Sequence, residues 1–180
     1  IGSLNGIYFT EEFFFYTQTN YSSDATRTAV HQFDTPTLNY LGSGTTDGYL
    51  FAGGNADFRI NYFDNTLRIV TTDYPTISSG GSSSISNDPK HQLTVFSTIP
   101  QDKVMNRISI LPNSLRPDQI GKPNEELYGV RFLGTKAYFV TYERIDPFYV
   151  IDLSDPEDPY IAGELIIPGF SNFIHPVTEK

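Results

Sequence analysis

At 180 residues, with 14 Phe and 12 Tyr against a single Met, the chain is long enough to bury roughly 70% of its unfolded surface without staples, and its composition favours strand over helix. A formal charge of −9 with only 12 basic residues, scattered along the chain, argues against a nucleic-acid partner, which needs clustered Lys and Arg to neutralise phosphates. The absence of cysteine excludes disulfides, thiolate metal sites and a cysteine nucleophile, and no hydrophobic run approaches the ~20 apolar residues of a membrane-spanning helix.

Ile1-Gly2-Ser3-Leu4 runs directly into strand-like sequence, so any targeting segment is expected outside this chain. Short apolar runs then alternate with turn clusters, the pattern of an all-β fold. A first cycle comprises Ile7 to Phe9, a turn at Thr10-Glu11-Glu12, Phe13 to Thr17, Thr28 to Phe33, a turn at Asp34-Thr35-Pro36, and Leu38 to Thr45. A middle cycle has Phe58 to Phe63, the turn Asp64-Asn65-Thr66, Leu67 to Thr72, Gln92 to Phe96 and Lys103 to Leu111. Here Asn106 takes the place of a glycine and is expected to tolerate positive φ. The Ser/Gly-rich segment Ser78 to Asn87 is too polar to bury itself and predicts a mobile loop outside the packed sheets.

The third cycle is the clearest. Leu127 to Leu133, the tight turn Gly134-Thr135-Lys136, Ala137 to Tyr142, Phe148 to Leu153 and Tyr160 to Ile167 give four strands, the last two joined by Ser154-Asp155-Pro156-Glu157-Asp158-Pro159. A four-stranded unit recurring every ~40 to 50 residues predicts propeller blades, at about 4–54, 55–124 and 125–172, with a further blade starting at 173–180. The strands lack clean alternation, as expected where blades are covered on both faces. Propellers close with 4 to 8 blades, so three legible blades, ending mid-pattern at Lys180, read as a segment of a larger ring. Its end faces, near Phe13, Phe15 or their neighbours, then await missing blades or a second copy.

The residues Tyr128-Gly129-Val130-Arg131-Phe132-Leu133-Gly134, Ala137 to Tyr142, Asp146 to Pro156 and Leu165 to Ser171 resemble a bacterial family of secreted proteins. That family carries a C-terminal β-propeller domain distantly related to WD repeats. The match is dense from Glu125 to Pro176 and thinner before it, where Asp47-Gly48-Tyr49-Leu50 and the blade rhythm carry it. The resemblance implies an extracytoplasmic, secreted or cell-envelope propeller, and no catalytic residues transfer with it.

No motif identifies catalysis, a cofactor or a metal site. His31 and His91 fall in predicted strands and His175 in the next blade's first strand, where packing explains them better than a nucleophile's base or a zinc set. Gly42-Ser43-Gly44-Thr45-Thr46-Asp47-Gly48 is no dinucleotide loop, because no helix follows. Asp152, Asp155, Glu157 and Asp158 could in principle attract calcium, but their prolines fit hairpin geometry. Phe13-Phe14-Phe15-Tyr16 must point to both sheet faces and reads as core, and Asn20-Tyr21-Ser22 matches a glycosylation sequon that is common by chance. The reading that results is a non-enzymatic binding scaffold for a protein or extracellular ligand. The alternative is a hydrolase or lyase of polysaccharide or peptide whose site is completed by missing blades.

Overall fold

The computed structural model describes residues 3–22, 25–50, 58–79, 82–142 and 146–167. These residues are strands and turns without helix, as the composition predicts. Three four-stranded antiparallel sheets follow one another along the chain. The first is β1 (Ser3–Phe9), β2 (Phe13–Tyr21), β3 (Thr26–Asp34) and β4 (Tyr40–Asp47), paired in sequence order. The second contains β5 (Ile60–Phe63), β6 (Thr66–Asp73), β9 (Lys90–Ser97) and β10 (Arg107–Leu111). The third is β11 (Glu126–Leu133), β12 (Lys136–Tyr142), β13 (Asp146–Asp152) and β14 (Tyr160–Ile167). Successive four-stranded meanders of this kind are the architecture of propeller blades.

Between β6 and β9, the segment expected as a loop forms a separate two-stranded hairpin, β7 (Thr76–Ser79) with β8 (Ser82–Ile85). It lies outside the four-stranded sheets, but its backbone groups pair with one another rather than with water, which the Ser/Gly composition alone does not reveal. Turn chemistry corrects three strand starts. Leu38 has φ of 57° and is 63% exposed, so β4 begins at Tyr40. The middle cycle's first strand begins at Ile60 rather than Phe58. Asp102 and Lys103, with φ of 50° and 62°, turn the chain before β10. They, and not Asn106, supply its left-handed backbone. The β5–β6 turn places Asp64 and Asn65 at φ of 46° and 56°, the two positive angles of a type I′ hairpin.

The sheets pack face to face. Phe15, Val30, Leu50, Ile60, Leu67, Ile69, Phe96 and Met105 form one core between the first and second. A second core, including Val70, Leu93, Val95, Leu127, Phe139 and Ile151, lies between the second and third. Each fully buried large side chain contributes about 1.5–3 kcal/mol. The middle sheet is therefore covered on both sides, and β6 is buried from Thr66 through Thr72.

Among the described residues, the outer sheets each keep one open face. Of the residues expected near the end face, Phe13 and Phe15 turn inward, and it is their neighbour Phe14 that lies on the open side of the first sheet. There Phe9, Phe14, Phe33 and Tyr40 form a ladder across all four strands, with successive ring centroids 5.1, 5.0 and 5.5 Å apart. On the third sheet Tyr138 stacks on Phe148 at 5.7 Å, and Leu165 and Ile166 of β14 are more than half exposed. The start of a further blade at 173–180 lies outside the described residues.

Close approach between the first two sheets depends on β4. A Cβ on Gly42 would lie 2.8 Å from the Pro100 side chain, and one on Gly44 would lie 2.8 Å from the buried Phe96 ring. β4 also bonds to the next sheet's connection, Ser43 N donating to Lys103 O at 3.0 Å and Met105 N to Ser43 O at 2.9 Å. Gly44→Ala is expected to destabilise the segment by about 1–3 kcal/mol through overpacking. Gly163→Ala, whose new Cβ meets nothing within 4 Å, should leave stability nearly unchanged. Urea unfolding of the two variants side by side checks this.

Candidate functional site

Along β6 the side chains alternate between the two neighbouring sheets. Leu67 and Ile69 enter the core shared with the first sheet, and Thr71 donates to Asp47 O at 2.6 Å on that same side. The next residue in this row, Asp73, stands where β4 has already ended at Asp47. Beyond that point the first two sheets leave a cavity of about 450 Å³, reached by Thr26, Asp47, Asp73, Tyr74, Lys90 and Gln92 among others. Pro112 and Gln119, from the connection between the second and third sheets, complete another wall. This volume lies in the range of small-molecule sites.

The charges around the cavity are largely compensated. Arg27 Nε lies 3.3 Å from Asp47 Oδ1, and Lys90 Nζ lies 2.5 Å from Asp88 Oδ2. Burial raises the Asp73 carboxyl above its usual range; the Tyr74 backbone amide pulls it down, and Asp47 pushes it up. Tyr74 donates its hydroxyl to the Glu126 carboxylate, 2.9 and 2.8 Å from the two oxygens, and burial raises its pKa. Tyr21, Tyr49 and Tyr74 form a row with centroids 5.3 and 6.2 Å apart. Gln92 Nε2 donates to Thr46 Oγ1 at 2.9 Å and Thr94 Oγ1 at 3.0 Å, which directs its amide group into the Thr-rich seam between the sheets.

The cavity is backed by a buried polar network that fastens the second sheet to the third. Arg59, only 1% exposed, donates through Nη2 to Leu127 O at 2.6 Å and through Nη1 to Thr72 Oγ1 at 3.1 Å. His91 Nε2 is 2.8 Å from Glu125 O, and His91 Nδ1 is 3.0 Å from Thr72 Oγ1. A carbonyl can only accept, so Nε2 carries the proton and Nδ1 accepts from the Thr72 hydroxyl. The donors therefore run in one direction, from Arg59 through Thr72 to neutral His91 and on to Glu125. The Glu125 carboxylate accepts from Thr141 Oγ1 at 2.6 Å and Lys122 N at 2.8 Å. Burial lowers the Arg59 guanidinium to about 10, which still leaves it charged at neutral pH.

The other residues considered from sequence fall elsewhere. His31, on the open face of the first sheet, pairs its Nδ1 with Ser43 Oγ at 2.5 Å, and Tyr40 OH lies 2.7 Å from the same oxygen. Its ring lies 5.6 Å from that of Tyr16. The sequence reading missed this cross-strand pair, although His31 and Ser43 stand opposite in register. The Gly42 to Gly48 run is β4 and its end, packed on the second sheet.

The acidic hairpin is tied down by protein groups: Asp158 receives both Nε and Nη2 of Arg116 at 3.0 and 2.6 Å, and Asp152 pairs with Lys136 at 2.9 Å. Asp155 Oδ1 accepts from Glu157 N at 2.9 Å. Among the described residues no three or more His, Asp or Glu side chains gather as a metal site. His175 lies outside the described residues, and Asn20 is exposed at the end of β2.

Burial lowers His91 from 6.5 to about 4; the hydrogen bond to Glu125 O opposes this, nearby Arg59 and Lys90 add to it, and Asp88 opposes it. The unfolded chain thus takes up a proton near pH 6.5 that the folded chain refuses until about 4. This contribution to stability is complete above pH 6.5, and roughly 3 kcal/mol of it is lost as pH falls through that window. Replacing His91 by Gln should flatten this acid limb. Comparing urea unfolding free energies at pH 7 and pH 4.5, the native segment is expected to lose about 2–3 kcal/mol more than the His91→Gln variant.

Comparison with known proteins places this geometry in context. A family model described as a beta propeller domain matches residues 1–180. An uncharacterised protein of Methanocaldococcus jannaschii is 46% identical over 82 residues, which are 43% of this chain and 13% of that protein. Another, from Archaeoglobus fulgidus, is 51% identical over 57 residues, 32% of this chain and 9% of its own length. The chain thus matches only about a tenth of these relatives' length. No solved structure matches it.

Proposed function

Because the chain belongs to the β-propeller domain family, we propose that it is part of a non-enzymatic binding scaffold whose loops at one blade end hold the ligand. The observation that carries this reading is the polar cavity between the first two blades, where Asp47, Asp73, Lys90 and Gln92 converge from three different strands. Propellers leave such end surfaces free while the blade faces hold the ring together. A second reading, a hydrolase or lyase of polysaccharide or peptide completed by residues outside this chain, is favoured by the placing of two carboxylates, Asp47 and Asp73, in one cavity, where Asp47 helps to raise Asp73.

The blades proposed are approximately 4–54, 55–124 and 125–172. The aromatic ladder through Phe9, Phe14, Phe33 and Tyr40 and the exposed Leu165 and Ile166 support the proposal that further blades, or a second copy when the segment is isolated, cover these end faces. Apolar patches of this kind rarely stay open on a monomer. An extracytoplasmic location, secreted or in the cell envelope, is supported by the resemblance of residues 125–176 to secreted propeller proteins. The relatives compared above are archaeal, so the proposal does not extend to a bacterial origin.

Light scattering tests the completion of the ring. The full-length protein is expected to be monomeric, and the isolated 180-residue segment to associate at micromolar concentration. Phe14→Ser should weaken that association without removing the cavity. A monodisperse monomeric segment would overturn the completion proposal. Recovery of the full-length protein in the cytoplasmic fraction of its native cells would overturn the proposed location.

A further inference from the structure

The cavity between the first two blades has a lining that selects among ligand classes. Its two carboxylates, Asp47 and Asp73, disfavour an anion, as does the chain's overall charge of −9. A cation is also poorly served, because the cavity already carries the ammonium group of Lys90 and Asp47 is already paired with Arg27. An apolar ligand would strip water from these groups without replacing its hydrogen bonds.

What remains is an uncharged molecule that both donates and accepts many hydrogen bonds. Asp73, which forms no salt bridge among the described residues, can accept from hydroxyl groups through two oxygens. Thr26 and Thr76 bring hydroxyls and Gln119 an amide to the same space, beside Gln92, whose Nε2 is held by Thr46 and Thr94. Pro75, Pro112 and the Tyr74 ring supply apolar wall against which C–H groups can rest. Burial holds the Asp73 carboxyl above its usual range, the condition of a group with no cation beside it to stabilise its charge.

From this lining we infer that the cavity binds a neutral saccharide, with Asp73 and Asp47 accepting from its hydroxyl groups. The inference rests on the binding-scaffold reading above and names the ligand class of the same site. The volume of about 450 Å³ accommodates one sugar ring with room for a neighbouring unit. A neutral ligand also fits the compensated charges, since its arrival breaks neither the Arg27–Asp47 nor the Lys90–Asp88 pair.

Isothermal titration of the full-length protein tests the inference. The probes are glucose, galactose, mannose and N-acetylglucosamine as neutral sugars, glucuronate as an anion, and N-acetyl-lysine methylamide as a cation. At least one neutral sugar is expected to bind, with an affinity little changed between about 0.05 and 0.5 M salt, because no net charge is transferred. Asp73→Asn and Asp47→Asn should each weaken that binding by about tenfold or more, the loss of a hydrogen bond to a charged acceptor. Gln119→Ala, on the exposed far wall, serves as a further variant, and unchanged melting temperatures confirm that each variant folds.

Binding of the lysine amide alone, lost in Asp73→Asn and strongly salt-dependent, would overturn the saccharide inference while keeping the cavity as the site. Sugar binding that none of the three substitutions alters would place it elsewhere and overturn the inference. If no probe binds, the saccharide inference and the cavity as the scaffold's binding site both fall. Release of reducing ends from an oligosaccharide, abolished in Asp73→Asn, would instead overturn the non-enzymatic reading and retain the saccharide.

Discussion

The structure depends on the withdrawal of the middle sheet from water on both faces. β6 reads Thr66-Leu67-Arg68-Ile69-Val70-Thr71-Thr72-Asp73, and every residue through Thr72 is buried. A strand in that position must satisfy its polar side chains in the neighbouring sheets, because no solvent reaches them. Arg68 Nη1 donates to Gly134 O at 2.6 Å in the third sheet, and Thr71 donates to Asp47 O in the first. Thr72 joins the Arg59–His91 network toward the third sheet. Arg68, Thr71 and Thr72 therefore act as directional ties between blades, Thr66 closes its own hairpin on Phe63 O, and Leu67, Ile69 and Val70 supply the non-directional hydrophobic term. A buried hydrogen-bond donor left unsatisfied costs about 1–3 kcal/mol, so a shift of one sheet against another breaks several ties at once.

Such ties also explain why the two sheet interfaces differ. Between the first and second sheets, β4 makes its contact through small residues: Gly42 and Gly44 admit the backbone closely, and Thr46 meets Thr94 hydroxyl to hydroxyl at 2.7 Å. Between the second and third, long side chains reach across, with Arg59 and Arg68 both donating to backbone carbonyls of the third sheet or its hairpin. The first solution achieves close contact with little side-chain entropy to lose, whereas the second orders two arginines at a cost of up to about 2 kcal/mol each. The charged hydrogen bonds of the guanidinium groups offset that cost.

Much of this architecture was legible because blade strands carry local signals. Gly134 marks a hairpin, Asp64-Asn65 demands two positive φ angles, and the Asp155-Pro156 turn ends β13 before β14 begins. The interblade ties were not legible. Arg59 precedes its partner carbonyl at Leu127 by 68 residues, and nothing in a single sequence states that separation. His91 could be placed in a strand, yet its neutral state follows only from the carbonyl of Glu125, 34 residues away. The cavity was invisible for the same reason, since nothing in a single sequence states that Asp47 and Asp73 line one space. The Ser/Gly segment lies outside the four-stranded sheets as expected, but its low hydrophobicity hides a hairpin whose two strands pair backbone to backbone.

The position of the cavity then follows from strand length. The row of β6 that faces the first sheet runs Leu67, Ile69, Thr71, Asp73, changing from apolar to hydroxyl to carboxylate toward the strand's end. Burial follows the same order, since Leu67, Ile69 and Thr71 are fully inaccessible while Asp73 is only partly covered. β4 stops at Asp47, and the chain then turns at Gly48 so that Tyr49 pairs with the end of β6 at Thr72, which leaves the partly covered Asp73 at the mouth of the gap between the two sheets. Ending β6 at Thr72 would take Asp73 out of the wall. The site is thus set by the unequal ends of two strands that the threonine seam holds in fixed register, and the rigidity of that seam positions groups contributed by two separate blades.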